Sequence, residues 1–196
     1  MNARTQFGSN LDLLWNDDPR MIGIRMARYK FVAKMLHGRR AVLEIGAGDG
    51  RLSRIVRDAV GALDLCDKEP QAAEVTRCDF TNTFGRSGYD AVYALDVLEH
   101  VEPTAEGRFM CNISRSLSPY GTCIIGMPSL ESQAHALPIS RAGHVNCKTE
   151  DGLRALLLRY FHCVYLFGMN DETLHTGFGP MCHYRLAIAN HKRWPA

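Results

Sequence analysis

Val42-Leu43-Glu44-Ile45-Gly46-Ala47-Gly48-Asp49-Gly50 is the stretch on which the reading of this chain turns. Ala41 to Ile45 forms a short apolar strand, and RLSRIVRDAV after the glycines sets Leu52, Ile55, Val56 and Val60 on one helical face. Strand, glycine turn and helix therefore follow one another without a gap. In that setting glycines let a ligand approach the backbone, and the start of the helix offers free N–H groups. A dinucleotide site wants GxGxxG, whereas here the glycines fall at 46, 48 and 50 with bulky Arg51 behind them. That displacement disfavours a nicotinamide-dependent oxidoreductase. Glu44, an acid on a buried strand, costs energy unless it meets a donor, which a ligand ammonium or backbone amides would supply.

Working outward, the apolar runs alternate with helical patterns as a parallel sheet requires. Upstream, Pro19 to Leu36 places Ile22, Met26, Tyr29, Val32, Ala33 and Leu36 at steps of three and four, which predicts an amphipathic helix stopped by Gly38. Downstream, GALDLCD is a second strand and EVTRCDF a third, joined by a KEPQAA segment too short for a full crossover helix. YDAVYALDV is the fourth strand. LEHVEPTAEGRFMCNISRSL reads as helix up to Pro119 and Gly121, and TCIIGM as the fifth strand. Thr149 is placed to cap TEDGLRALLLRYF, and HCVYLFGM with CHYRLAIAN predicts a closing pair of strands. The expectation is an α/β fold: one Rossmann-like domain with a mostly parallel seven-stranded sheet, a C-terminal antiparallel hairpin and helices on both faces. It divides into an N-terminal helical cap (1–40), a ligand-binding core (41–129), and substrate loops with the last strands (130–196).

Composition fits that picture. A chain of 196 residues, 46% hydrophobic and 22% charged, has the ordinary make-up of one globular domain. No apolar run approaches a membrane span, and MNARTQFGSNLDLLW lacks the features of a signal peptide, so a cytoplasmic location is expected. The net charge of +2, with Lys and Arg scattered apart from clusters such as Arg39-Arg40, gives no support to a nucleic-acid partner. The seven cysteines form no CxxC pair, which argues against a disulfide framework or a zinc ribbon; several, such as Cys123 and Cys163, fall in apolar runs as small hydrophobes.

The acids at strand ends extend the site. Asp67 in DKEP can accept two hydrogen bonds from a ribose diol, with Asp64 as rival for that role. Asp79 is placed to accept from an adenine amino group beside Phe80, which can cover the ring. The fourth strand ends in Ala94-Leu95-Asp96, at the crevice where open α/β sheets bind ligands. Each has a plainer alternative, since such acids often cap the next helix and Phe80 suits a core.

From Val42 to Ser129 the order and spacing of VLEIGAGDG, DKEP, CDF, YDAVYALDVLEHV and LSPYGTCIIGMPS resemble the class I S-adenosylmethionine (SAM)-dependent methyltransferases. The resemblance implies SAM as cofactor. Gly46, Ala47 and Gly48 would line its methionine and ribose portions, Asp67 the ribose hydroxyls, Asp79 and Phe80 the adenine, and Leu95 or Asp96 the region near the sulfonium. Arg28, on the helix that often covers the cofactor in this family, would reach the SAM carboxylate. The segment between Asp67 and Asp79 is shorter than usual, which leaves the adenine side less defined.

Transfer to an O or N nucleophile needs a base, for which His100, His144 and His175 are candidates, His100 and His144 foremost. Asp96, Glu99 and His100 stand at i, i+3 and i+4, so a helix start would set three metal-capable side chains on one face, with His144 as fourth ligand. The pattern is similar to DxxEH in ubiquinone O-methyltransferases and ExxEH in small-RNA 2′-O-methyltransferases. The plainer expectation is no metal, with His100 merely hydrogen-bonded nearby. Segments 128–149 and 168–184, long for plain turns, are read as substrate loops, in which Tyr184, His175 and Asp171 suit a hydroxylated acceptor. The expected reaction methylates a small molecule, a sugar or natural-product intermediate, in a chain that can form a homodimer. The rivals are a metal-assisted RNA 2′-O-methyltransferase and a catalytically silent SAM-binding partner subunit.

Overall fold

The glycine turn at 46–50 is the pivot of an eight-stranded sheet. In a computed structural model describing residues 15–193 apart from 17 and 84, the strands lie in the order β3-β2-β1-β4-β5-β8-β6-β7. They are β1 Ala41–Ile45, β2 Ala62–Asp67, β3 Thr76–Arg77, β4 Tyr89–Leu95, β5 Leu117–Pro128, β6 Phe161–Asn170, β7 Thr173–His175 and β8 Tyr184–Lys192. The first five run parallel, and β8 lies antiparallel between β5 and β6. The first fourteen residues of the N-terminal cap, including most of the stretch read for a leader, and residues 194–196 lie outside the described residues.

Strand order reverses between β1 and β4. Crossovers leave in opposite directions there, so a crevice opens beyond the carboxyl ends of the two strands, which is where open α/β sheets take their ligands. The sheet is covered on both faces because its central strands are apolar on both. Helix α1 (Arg20–Met35) lays Phe31 and Val32 on one face with Leu36 just beyond its end, joined by Val56 of the short α2 (Arg54–Arg57), against Val42, Tyr93 and Ile124. Helices α3 (Glu106–Ser116) and α5 (Glu150–Leu158) cover the other, packing Phe109, Ile113, Leu153 and Leu157 on Leu43, Val92 and Ile125. Thr149 caps α5 by accepting from the Gly152 N–H at 3.1 Å. Cys66 and Cys123 lie buried in the sheet, where desolvation raises the thiol pKa and favours a purely packing role.

Four details differ from the sequence expectation. The sheet has eight strands, not seven, because Thr173–His175 folds back on Gly168–Asn170 inside the loop before the last strand. The helix expected through 98–117 is cut into a 3-10 turn at Leu98–His100 and α3 from Glu106, because Pro103 lacks a donor and disfavours helical backbone at Glu102. The helix expected over 51–60 shrinks to Arg54–Arg57, flanked by i to i−3 bonds such as Ile55 to Leu52. Pro119 and Gly121 do not separate helix from strand: α3 ends at Ser116 and β5 already starts at Leu117, with a register shift between Tyr89 and Ala91 absorbing the extra residues. Among the described residues no helix is long and apolar enough to cross a membrane.

Candidate functional site

The turn after β1 places three glycines in left-handed backbone, with φ of 83° at Gly46, 57° at Gly48 and 70° at Gly50. Side chains are disfavoured there, and at Gly46 there is also no room: a Cβ would lie 2.2 Å from a methyl carbon of Val97. The amides of Gly46 and Ala47 bond the Cys66 carbonyl at 2.9 and 3.1 Å, pinning the loop to β2. Asp67 finishes the task. Its Oδ2 accepts from the Gly48 N–H and its Oδ1 from the Glu69 N–H, both at 2.8 Å. Asp64 lies elsewhere, accepting from the Tyr89 hydroxyl at 2.7 Å near Arg86, so the choice between the two acids at the loop falls to Asp67.

Two hollows of about 270 and 410 Å³ share Gly46, Gly48, Asp96 and His100. Arg25, Tyr29, Ala47 and Leu95 line the first. The second runs under Asp67, Asp79, Phe80, Val97 and Phe109. Together they reach the size of a cofactor cleft. Asp79 lines the second hollow and also closes its own turn, accepting from the Thr81 N–H and hydroxyl at 2.9 and 2.6 Å and from Asn82 at 2.7 Å. Phe80 is likewise shared, buried in the core at one edge and forming the hollow's wall at the other.

Glu44 finds two donors on side chains of this chain. Its carboxylate, 1% exposed, accepts from the hydroxyls of Tyr29 on α1, at 2.8 Å, and Tyr93 on β4, at 2.5 Å. Burial still raises its pKa despite these bonds. The strand acid thus clamps α1 to the sheet. Arg28 is also engaged: Nη1 donates to both oxygens of Asp96 at 2.9 Å, and the guanidinium stacks 3.7 Å above the Tyr184 ring. The α1 cation lining the first hollow is Arg25, which sequence reasoning passed over although it stands four residues before Tyr29 on the same helical face. Val97, which closes over Gly46, was equally missed and carries no chemical signal in the sequence.

Asp96 does not join the histidines. It has left-handed backbone at φ 57° and turns toward Arg28. Glu99, His100 and His144 do converge, with one ligand-capable atom of each within 4.8 Å of the others. The His100 and His144 rings meet edge to face at 5.1 Å. His100 Nδ1 bonds the Gly143 carbonyl at 2.9 Å and His144 Nδ1 the Gln133 amide oxygen at 2.8 Å, leaving the other ring nitrogens available. Glu99 is buried, with neither carboxylate oxygen hydrogen-bonded among the described residues. Burial first, and the Asp96 charge second, push its carboxyl well above the usual carboxylate range. For His144, burial and then the neighbouring His100 lower the pKa, so its imidazole is neutral at physiological pH.

Of the three side chains read as facing a hydroxylated acceptor, Tyr184 is buried under Arg28. His175 Nδ1 accepts the Gly177 N–H, and Asp171 forms the tight β6–β7 turn with φ 50°. They are not brought together. What binds the two outer loops is Arg185, 2% exposed, which donates to Glu131, Glu150 and the Gly179 carbonyl at 3.0, 3.4 and 3.1 Å.

The fold and the family are matched among known proteins. A family model described as a methyltransferase domain matches residues 15–160. Among solved structures, the N-methyltransferase NodS from Bradyrhizobium japonicum WM9 superposes with a TM-score of 0.64 at 17% identity, over 91% of this chain and 99% of that one. A SAM-dependent methyltransferase from Thermotoga maritima gives 0.67 at 14% identity, over 93% and 98%. The methyltransferase domain of bacterial CtHen1 gives 0.66 at 15% identity, over 85% and 99%. At these identities the likeness is one of fold. No curated protein matches the chain in sequence.

Proposed function

Because the chain belongs to the methyltransferase-domain family, we propose that it transfers a methyl group from S-adenosylmethionine to an oxygen or nitrogen nucleophile of a small molecule. The observation that carries this reading is the pair of hollows that share the left-handed Gly46 and Gly48 and reach His100, the second of them also lined by Asp67. A structural turn needs neither three such glycines nor an acid clamped to the amide between them. Gly46, Ala47 and Gly48 line the methionine and ribose portions. Asp67 orders the loop and keeps lone pairs for the ribose hydroxyls, Asp79 and Phe80 border the adenine, and Leu95 and Asp96 face the sulfonium.

SAM supplies the reactive methyl group, so the chain's task is to align the acceptor and take up its proton. His100 and His144 are the bases: His100 lines both hollows, His144 meets its ring edge to face at 5.1 Å, and the lowered pKa keeps His144 ready to accept. Calorimetric titration with S-adenosylhomocysteine tests the reading. Micromolar binding is expected, and no binding by the intact protein would end it.

Arg25 is the residue we assign to the SAM carboxylate, in place of Arg28. Arg25→Met should weaken S-adenosylhomocysteine binding about ten- to hundredfold, the worth of a charge-assisted hydrogen bond, with little change in Tm. Arg28→Met should instead lower Tm. The opposite pattern would return the role to Arg28.

The convergence of Glu99, His100 and His144 favours a second reading, in which a divalent ion assists an acceptor oxygen. The donor set fits: a buried carboxylate without a partner and two imidazoles suit an ion such as Mn²⁺ or Zn²⁺. These three residues would hold it and Asp96 would not. Loss of methyl transfer in excess chelator, restored by added metal, is the result this reading requires, and full turnover in chelator excludes it.

A further inference from the structure

A histidine acts as a base only through the ring nitrogen that carries no hydrogen, and the partner of the other nitrogen decides which one that is. For His144 the decision starts at Ser129, just past the end of β5. Ser129 is fully buried and held on every side: its N–H donates to the His183 carbonyl at 3.0 Å, and its hydroxyl donates to the Cys182 carbonyl at 2.6 Å and accepts the Ser132 N–H at 3.0 Å. Its carbonyl, able only to accept, takes the Ser132 hydroxyl at 2.8 Å and Gln133 Nε2 at 3.2 Å. The Ser132 oxygen, its hydrogen already given to that carbonyl, accepts from Gln133 Nε2 at 3.3 Å. Both partners of the Gln133 amide nitrogen are therefore acceptors. Turning the amide over would set its oxygen against the Ser129 carbonyl, so Oε1 stays on the other side, 2.8 Å from His144 Nδ1.

We propose that Gln133 is a positioning residue for methyl transfer, holding the His144 imidazole in the tautomer with hydrogen on Nδ1 so that Nε2 takes the acceptor's proton; this rests on the methyltransferase reading above. An amide oxygen can only accept, so Nδ1 carries hydrogen whatever the charge on the ring, and the proton that His144 gains or loses sits on Nε2. The backbone is fixed as well: His144 closes the short helix α4 (Pro138–Gly143), donating its N–H to the Ser140 carbonyl at 2.9 Å. His100 follows the same rule, because the partner of its Nδ1 is the Gly143 carbonyl, again an acceptor alone. In the transfer the proton of the acceptor's O–H or N–H passes to His144 Nε2. The acceptor's electron pair forms the bond to the methyl carbon, and the pair of the broken C–S bond stays on sulfur. Gln133 acts through the ring, as the third member of a catalytic triad does, but as a neutral amide in place of a carboxylate.

The tautomer is read by NMR of the intact chain with nitrogen-15 in its histidines, from two-bond proton–nitrogen correlations recorded above neutral pH, the His144 signals being those lost in His144→Asn. In the parent, Nδ1 should resonate as an N–H nitrogen and Nε2 as a bare one. Gln133→Met keeps the length of the side chain without its oxygen, and should draw the two nitrogen shifts together as the ring exchanges between tautomers. Gln133→Glu keeps an acceptor oxygen and should hold them apart. Melting curves establish that the variants are folded, which a loss of structure alone would not survive. A parent ring with its hydrogen on Nε2, or with the two shifts already averaged, overturns the proposal whether or not Gln133→Met folds. So does a folded Gln133→Met whose His144 signals match the parent's. Absence of S-adenosylhomocysteine binding would instead remove the methyltransferase reading, and the nitrogen shifts, which need no ligand, would still decide what Gln133 does to the ring.

Discussion

Gly46→Arg should reduce S-adenosylhomocysteine affinity at least a hundredfold, the largest effect expected from any single change in this chain. Two costs combine. The backbone at position 46 is left-handed, which disfavours any L side chain by roughly 1–2 kcal/mol. Beyond that, a Cβ would lie 2.2 Å from the Val97 methyl carbon, so the loop or Val97 must move, and the arginine then enters the groove that the ligand is to fill. Because the substitution can also weaken the fold, Asp67→Ala is its companion. It leaves the space open but removes the acceptor that holds the Gly48 and Glu69 amides. We expect about a tenfold or greater loss there, through an unanchored loop and a missing acceptor for the ligand. Calorimetry on both, with melting curves as control, checks this; Asp67→Ala binding as tightly as the parent would remove the loop from the site.

Asp96→Ala should destabilise the fold by roughly 2–4 kcal/mol, a Tm decrease of about 5–15 °C for a chain of this length. Arg28 is largely buried and directs its charge at Asp96, and removing the partner leaves that cation uncompensated beneath α1. Asp96 itself is partly open to solvent, with a side chain 28% exposed, so the estimate lies below the loss for a fully buried pair. Alanine also tolerates φ 57° poorly. Asp96→Asn suits that backbone and keeps an acceptor, and should cost about half as much. In the double variant Arg28→Met/Asp96→Ala most of the loss should be recovered, because no unpaired charge remains. Thermal melts decide it: an Asp96→Ala protein as stable as the parent would mean that solvent already satisfies Arg28.

The core of the fold was legible because its signals are local. AVLEI is a strand by its apolar run, and its observed span is Ala41–Ile45. YDAVYAL and the Thr149 cap of α5 declare themselves as directly. Where the reading slipped, a neighbour overrode a local pattern. Pro103 interrupted a helical period, register with β4 carried β5 through Pro119 and Gly121, and the loop at 173–175 gained a strand only because β6 offered an edge.

The site divides along the same line. By itself the sequence determined the glycine turn, the acids at the strand ends and the membership of the methyltransferase family, since these rest on residue type and on spacing along one short segment. Only the tertiary structure decided that Asp67 and not Asp64 meets the loop, that Glu44 is answered by two tyrosines, and that Arg28 belongs to Asp96 while Arg25 faces the groove. It alone parted Asp96 from Glu99, His100 and His144. Each of these depends on which side chains, tens of residues apart, arrive at the same point with compatible charge and the right rotamer, and the periodicity of a sequence holds no record of that meeting.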